Sequence, residues 1–198
     1  MYSSASQLAG GDTFKYTLTS SSALLCNGLA IHRVEILSKV VDSNNSLEPF
    51  DVACDAKLAG AGWTVILRRS GDKVNFYRKW AQYKQGFGDL GSDFFIGLDK
   101  LHAITTSQPH ELYVHLEDFD GESRYALYDD FQISNEAQDY ALAKLGSYSG
   151  DAGNSLSDHL HYGFTTYDND NDGWGDGNCA QWAMGAYWYN NCGPSVAL

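Results

Sequence analysis

The sequence predicts an α+β fold, an antiparallel sheet carrying short helices, on three observations. Apolar and polar residues alternate cleanly over several short runs, as in half-buried strands. Turn signals of the Asp-Gly kind join consecutive runs, as in hairpins. The helical patterns between them are too few and too short to serve as parallel crossovers. A chain of 198 residues is long enough to bury a real core as one large domain or two small ones.

In chain order, residues 1–22 are rich in Ser, Thr, Ala and Gly and predict a linker or leader. From Cys26 onward strand-like runs dominate: "RVEILSKVV" and "GWTVILRR", the second bounded by glycine. Phe76, Trp80, Tyr83 and Phe87 stand near helical spacing in "NFYRKWAQYKQGFG", which predicts a short helix ended by Gly86 and Gly88. "SDFFIGLDKLHAITT" predicts another, with Ser92 or Asp93 as N-cap. In "HELYVHLEDFDG", Leu112, Val114 and Leu116 share one face, and Tyr113, His115 and Glu117 the other. "GESRYALYDDFQI" follows a turn at Asp120-Gly121 and completes a hairpin, and "DYALAKLGSYSG" predicts a further strand. There is no internal repeat.

A net charge of −12 argues against nucleic acid and anionic membrane surfaces as partners and is compatible with cation binding. No apolar run reaches the roughly 18 residues of a membrane span, and the N-terminus lacks the pattern of a signal peptide. Cys26, Cys54, Cys179 and Cys192 allow three pairings, of which two local loops, 26–54 and 179–192, need the least rearrangement. None lies in a CxxC, which disfavours zinc. Two disulfides imply an oxidising compartment, and there Asn44, in Asn44-Asn45-Ser46, is a candidate glycosylation site.

The chemically richest stretch is "YDNDNDGWGDGNC". Asp168, Asp170 and Asp172 alternate with asparagines, and three converging carboxylates stay ionised together only around a cation. Calcium suits them, because it accepts six to eight oxygens in flexible geometry, and the glycines let carbonyls turn inward. Counted as an EF-hand, the loop fits through Asp176, but Cys179 stands where the bidentate glutamate belongs, and the flanks are aromatic rather than helical. A calcium loop of another kind is the better reading. Catalysis finds no support: His159 and His161 in "DHLH" are expected to be exposed, Glu117, Asp118 and Asp120 form a turn cluster, and Tyr148 occupies the centre of "GSYSG", where a nucleophile elbow would need serine.

Four stretches, "PFDVACDAKLAGAGWTVILRRSGDKVNFYRKWAQYKQGFGDLGSDFFIGLDKLHAIT", "ELYVHLEDFDGESRYALYDDFQI", "YSGDAGNSLSDH" and "FTTYDNDNDGWGDGNCA", resemble the fibrinogen C-terminal domain over roughly residues 23–192. The resemblance implies a secreted module in three parts: 23–61 with the Cys26–Cys54 disulfide, 62–150 with the central sheet, and 151–198 with calcium, a ligand pocket and the Cys179–Cys192 disulfide. It implies calcium ligation by the side chains of Asp170 and Asp172 and the carbonyls of Trp174 and Gly177, with Asp176 as the alternative to Gly177 and Asp168 one layer out. It implies a cis peptide at Asn191–Cys192, at a cost of about 3 kcal/mol, and a lectin-like pocket for acetylated glycans or N-acetyl groups, as in innate immunity, lined by Trp182, Tyr187, Asn191 and Cys192. Ala183 and Gly193 depart from the acetyl-binding pattern, and the tail that in the family completes the pocket and a sheet strand is replaced by "GPSVAL". The alternative expectation is therefore a protein-interaction module, binding a cell-surface or extracellular protein and compatible with homo-oligomers.

Overall fold

The computed structural model describes residues 13–20, 26, 31–34, 47, 50–60 and 62–192, with 13–20 and 31–34 as backbone only. Asn44 and most of "RVEILSKVV" lie outside the described residues. The strands are β1 (Thr13–Ser20), β2 (Ile31–Val34), β3 (Phe50–Asp55), β4 (Trp63–Arg69), β5 (Phe87–Gly88), β6 (Phe94–Phe95), β7 (His110–Glu117), β8 (Ser123–Tyr128), β9 (Phe131–Ile133), β10 (Leu142–Leu145) and β11 (Tyr148–Gly150). The helices are α1 (Trp80–Gln85), α2 (Leu98–Ser107) and α3 (Cys179–Trp182).

The main sheet runs β11-β8-β7-β1-β4-β3-β2, with β6 against β4 and β5 against β6, while β9 and β10 pair separately. Every pairing is antiparallel. The alternation expected along β7 holds at Leu112 and Val114, but His115, expected on the outer face, is buried and Leu116 is only half-buried. Leu112 and Val114 are buried and sit opposite Tyr128 and Ala126 of β8, so one face of the hairpin joins the core. At the turn, the Asp118 carboxylate accepts from the N–H groups of Asp120 (3.0 Å) and Glu122 (2.9 Å), which accounts for the acidic cluster there without chemistry.

Four elements differ from expectation, each for a local reason. Residues 13–20, assigned by composition to a leader, form β1 in the middle of the sheet, between β4 and β7. Phe14, Tyr16 and Leu18 lie opposite Leu116, Val114 and Leu112, a period of two hidden within a Ser/Thr-rich segment. The second helix begins only at Leu98. Gly97, at φ 106°, breaks the run after β6, and the buried Asp93 spends its Oδ1 on the N–H and hydroxyl of Ser70 (2.7 Å each) rather than on capping. An added Cβ at Gly97 would come within 2.6 Å of the Gln85 backbone, so this break is built into the packing. Gly86 does end α1, but Phe87 and Gly88 then form β5. Finally, "DYALAKLGSYSG" divides into β10 and β11, which belong to different sheets.

An aromatic cluster joins sheet, helix and C-terminal region. Tyr83 on α1 lies 5.3 Å from Phe95 and 5.2 Å from Phe164, and Phe164 lies 5.1 Å from Trp188. Phe164 is fully buried. The Tyr83 hydroxyl, also buried, donates to the Phe76 carbonyl at 2.7 Å, and burial pushes its pKa far above the ordinary tyrosine value. Tyr83→Phe removes that donor from a buried carbonyl and should cost about 1–3 kcal/mol in urea unfolding at neutral pH; an unchanged midpoint would show that the Phe76 carbonyl finds another partner.

Candidate functional site

Phe164 brings the Asp-rich loop to the core, and short backbone pairs then shape it. Thr165 and Tyr187 exchange N–H···O bonds (2.8 and 3.2 Å), as do Thr166 and Asn169 (2.9 and 3.1 Å). Asn171 is bonded from both ends: its N–H donates to the Thr165 hydroxyl (3.0 Å) and its side-chain amide to the Phe164 carbonyl (2.8 Å). Asn178 caps α3 by accepting from the Gln181 N–H (2.9 Å), while its amide donates to the Thr166 carbonyl (3.0 Å). Neither asparagine was singled out in the sequence; the cap was legible in Asn178 standing before "CAQW", but not its second bond across the loop.

The carboxylates divide by role. Asp172 is committed to the fold, with Oδ1 accepting from the Trp174 N–H and Oδ2 from the Cys179 N–H, both at 2.7 Å. Asp170 accepts only the Asp172 N–H, at 3.3 Å, which leaves lone pairs free. Burial first, and then the neighbouring Asp172 charge, push the Asp170 carboxyl above the ordinary aspartate range; its backbone hydrogen bond opposes them. A cation beside the pair would relieve that penalty. Among the described residues no three His, Cys, Asp or Glu side chains converge, so such a cation must also take carbonyl oxygens. The Trp174 carbonyl faces back into the turn, accepting the Gly177 N–H at 3.3 Å. A Cβ at Gly177 would lie 2.6 Å from the Trp174 ring, so a side chain there would displace that ring. This donor set fits calcium chemistry. Asp176 is exposed.

Asp168, expected one layer out from the ion, makes hydrogen bonds that join the loop to the rest of the fold. Its Oδ1 accepts from the Trp80 N–H at the start of α1 and from the Thr166 hydroxyl, both at 2.8 Å, so it ties the loop to the helix.

The structure pairs Cys179 with Cys192 and Cys26 with Cys54. The expected cis peptide is not present: all peptide bonds among the described residues, Asn191–Cys192 included, are trans, the form favoured by about 3 kcal/mol without proline. Among the described residues, those expected to line an acetyl pocket do not converge. Tyr187 is buried among Trp188, Tyr189 and His159, whereas Trp182 stands 67% exposed and Asn191 is exposed. Tyr187 lines two cavities against the sheet, one with Leu67, Leu112 and Leu156 and one with Val114, Ala126 and Tyr128, and neither Trp182 nor Asn191 lines either of them. Met184, 72% exposed at φ 51°, and Trp182 both stand at the surface within the segment closed by the Cys179–Cys192 disulfide.

His159 also departs from expectation. It is buried, its Nδ1 accepting the Asn190 N–H at 3.1 Å, while Asn190 donates its side-chain amide to the Asp158 carbonyl at 2.9 Å. Burial lowers its pKa, opposed by the Asp158 charge and the Trp188 carbonyl. His110, buried at the head of β7, is lowered by the same cause. Both depressed values mean that the unfolded chain takes up protons first as pH falls below about 6.5. Stability should therefore decline from about pH 6.5 downward, and His159→Gln should flatten that slope; an identical slope would place His159 in water. Asp168→Ala should cost about 1–3 kcal/mol, equally in calcium and in chelator. A cost seen only with calcium would return Asp168 to the ion.

Residues 30–196 match the family described as "Fibrinogen beta and gamma chains, C-terminal globular domain". Bovine angiopoietin-related protein 7 is 47% identical over 146 residues, 73% of this chain and 42% of that protein. Human fibroleukin is 42% identical over 156 residues, 76% of this chain and 35% of that protein. The chain thus spans less than half the length of these relatives. Among solved structures, the fibrinogen-like globe domain of human ANGPTL2 superposes with a TM-score of 0.74 at 36% identity, covering 83% of this chain and 73% of that one. A lamprey fibrin D-dimer complexed with the peptide Gly-His-Arg-Pro-amide gives 0.68 at 34% identity, covering 73% and 50%. The order of strands, the placement of both disulfides and this match over most of its length agree: the chain belongs to the fibrinogen C-terminal domain family.

Proposed function

We propose that this chain is an extracellular, calcium-holding module that recognises another polypeptide, and is not a catalyst. The observation that carries the reading is the contrast between Tyr187, sunk in the core, and Trp182 and Met184, presented to solvent beside the cross-linked loop. An acetyl-sized cup needs convergent aromatic walls, whereas exposed Trp and Met on a rigid support suit a protein interface. The solved lamprey relative that carries a short peptide supports a polypeptide partner. The net charge of −12 favours a basic one, through long-range steering. Two disulfides suit a secreted protein, and no helix among the described residues is long and apolar enough to cross a membrane.

Calcium fits between Asp170 and Asp172, with the Trp174 and Gly177 carbonyls completing its protein ligands. Its role here is structural: it neutralises the paired carboxylates and stiffens the loop that leads to Trp182.

Two experiments test this. In thermal unfolding with and without calcium, Asp170→Ala should erase the calcium-dependent rise in Tm while leaving the calcium-free Tm near that of the wild type. Asp172→Ala should lower both, because two N–H groups lose their acceptor. A calcium-dependent rise in Tm that survives in Asp170→Ala would contradict the ligand assignment, and a calcium-free Tm unchanged in Asp172→Ala would contradict its framework role. For recognition, calcium-loaded chain should bind cell surfaces in a trypsin-sensitive, glycosidase-insensitive manner. Trp182→Ser should weaken that binding by about 30-fold, as removal of an anchor residue does. Retention on N-acetylglucosamine resin with release by acetate would instead favour the lectin reading.

A further inference from the structure

The strand at the centre of the sheet comes from outside the part of the chain that the family shares. β1 occupies residues 13–20, whereas the family match begins at residue 30. It pairs with β4 at six positions, with a register shift between Tyr16 and Thr17, and with β7 at eight without one, so it bonds along both of its edges. All other described elements follow it in the chain. It is joined to them only through residues 21–25 and Cys26, which the Cys54 disulfide holds to β3. It can therefore leave the sheet without any other element being unthreaded, whatever the chain carries upstream. When it leaves, β4 and β7 each expose a row of unpaired N–H and C=O groups. The gap is shaped for one extended segment with apolar residues at alternate positions.

We propose that β1 is an exchangeable strand, and that two copies of this chain associate by seating each other's residues 13–20 between β4 and β7. The occupant that satisfies the gap at least cost is the segment already matched to it. Phe14, Tyr16 and Leu18 of a second copy take the positions opposite Leu116, Val114 and Leu112 in the same register, and Lys15 the position opposite His115, one pair along from Thr13 and Glu117 on the same face. Cys26, bonded to Cys54 of β3, keeps the donated strand tied to its own copy through residues 21–25. The same strand addition is a general mode of recognition, in which backbone bonds supply affinity and alternate side chains supply register.

The test uses the full chain. Thr19→Cys and Glu111→Cys, made in separate samples, stand opposite one another only when β1 is seated. Co-refolded and oxidised, the two should give a covalent heterodimer, with the dimer-to-monomer ratio rising about tenfold for a tenfold rise in concentration while monomer predominates. Thr19→Cys mixed with Asp72→Cys, in an exposed loop, should give none. A parallel measurement needs no substitution. Unlabelled and 15N-labelled wild-type chains are co-refolded and treated with carbodiimide, and mixed-isotope Lys15–Glu117 links are sought by mass spectrometry. Both readouts positive support the exchange. Links confined to single chains at every concentration, or a dimer lacking the 19–111 and 15–117 links, would overturn it.

Discussion

One buried ring, Phe164, holds the two halves of this structure to each other. It lies within 6.4 Å of Trp80, Tyr83, Phe95 and Trp188, which come from α1, β6 and the segment after α3. The next residue, Thr165, begins the bonded ladder that carries the acidic loop. The loop is thus grown on the hydrophobic core rather than attached to its surface. Rings of this size bury much area at small entropic cost, and contacts between them add to that area term. The order of the loop is in this way linked to the stability of the whole domain.

This arrangement separates framework from function within a few residues. Asp168, Asn171, Asp172 and Asn178 spend their polar atoms on the backbone of the loop and of α1 and α3. Asp170 accepts one long bond, from the Asp172 N–H, and desolvation together with the neighbouring Asp172 charge raises its pKa. A site in which one acidic residue is left underused while the others are saturated is prepared for a cation without needing one to exist. On the calcium reading proposed above, binding would add stability by mass action instead of creating the fold.

Much of the fold could be read from the sequence where the signal was local. The period of two along residues 110–117 and the Asx turn at Asp118 need only adjacent residues for their explanation. The second helix was displaced because Gly97 and Asp93 answer to Gln85 and Ser70, which are distant in sequence. β1 was missed because three alternating apolar residues within a Ser/Thr-rich stretch are a weak pattern until β4 and β7 are known to flank them. At the site, the position of the acidic loop was evident from composition. Which carboxylate does what was not, since Asp168 answers to Trp80, 88 residues away. The burial of His159 likewise depends on Tyr187 and Asn190. Tyr187 was expected to line a ligand pocket and instead faces inward, because its backbone pairs with Thr165 and its ring packs on Trp188.

The most direct test is native-state hydrogen exchange in chelator, followed at the amides of Thr165, Asn171 and Cys179, which donate to Tyr187, Thr165 and Asp172. If the aromatic core alone shapes the loop, these amides are protected to nearly the same free energy as those of β7, and calcium adds to that protection. Exchange at close to the unprotected rate without calcium, with protection appearing only when the ion is added, would show that the ion makes the loop and that the core does not.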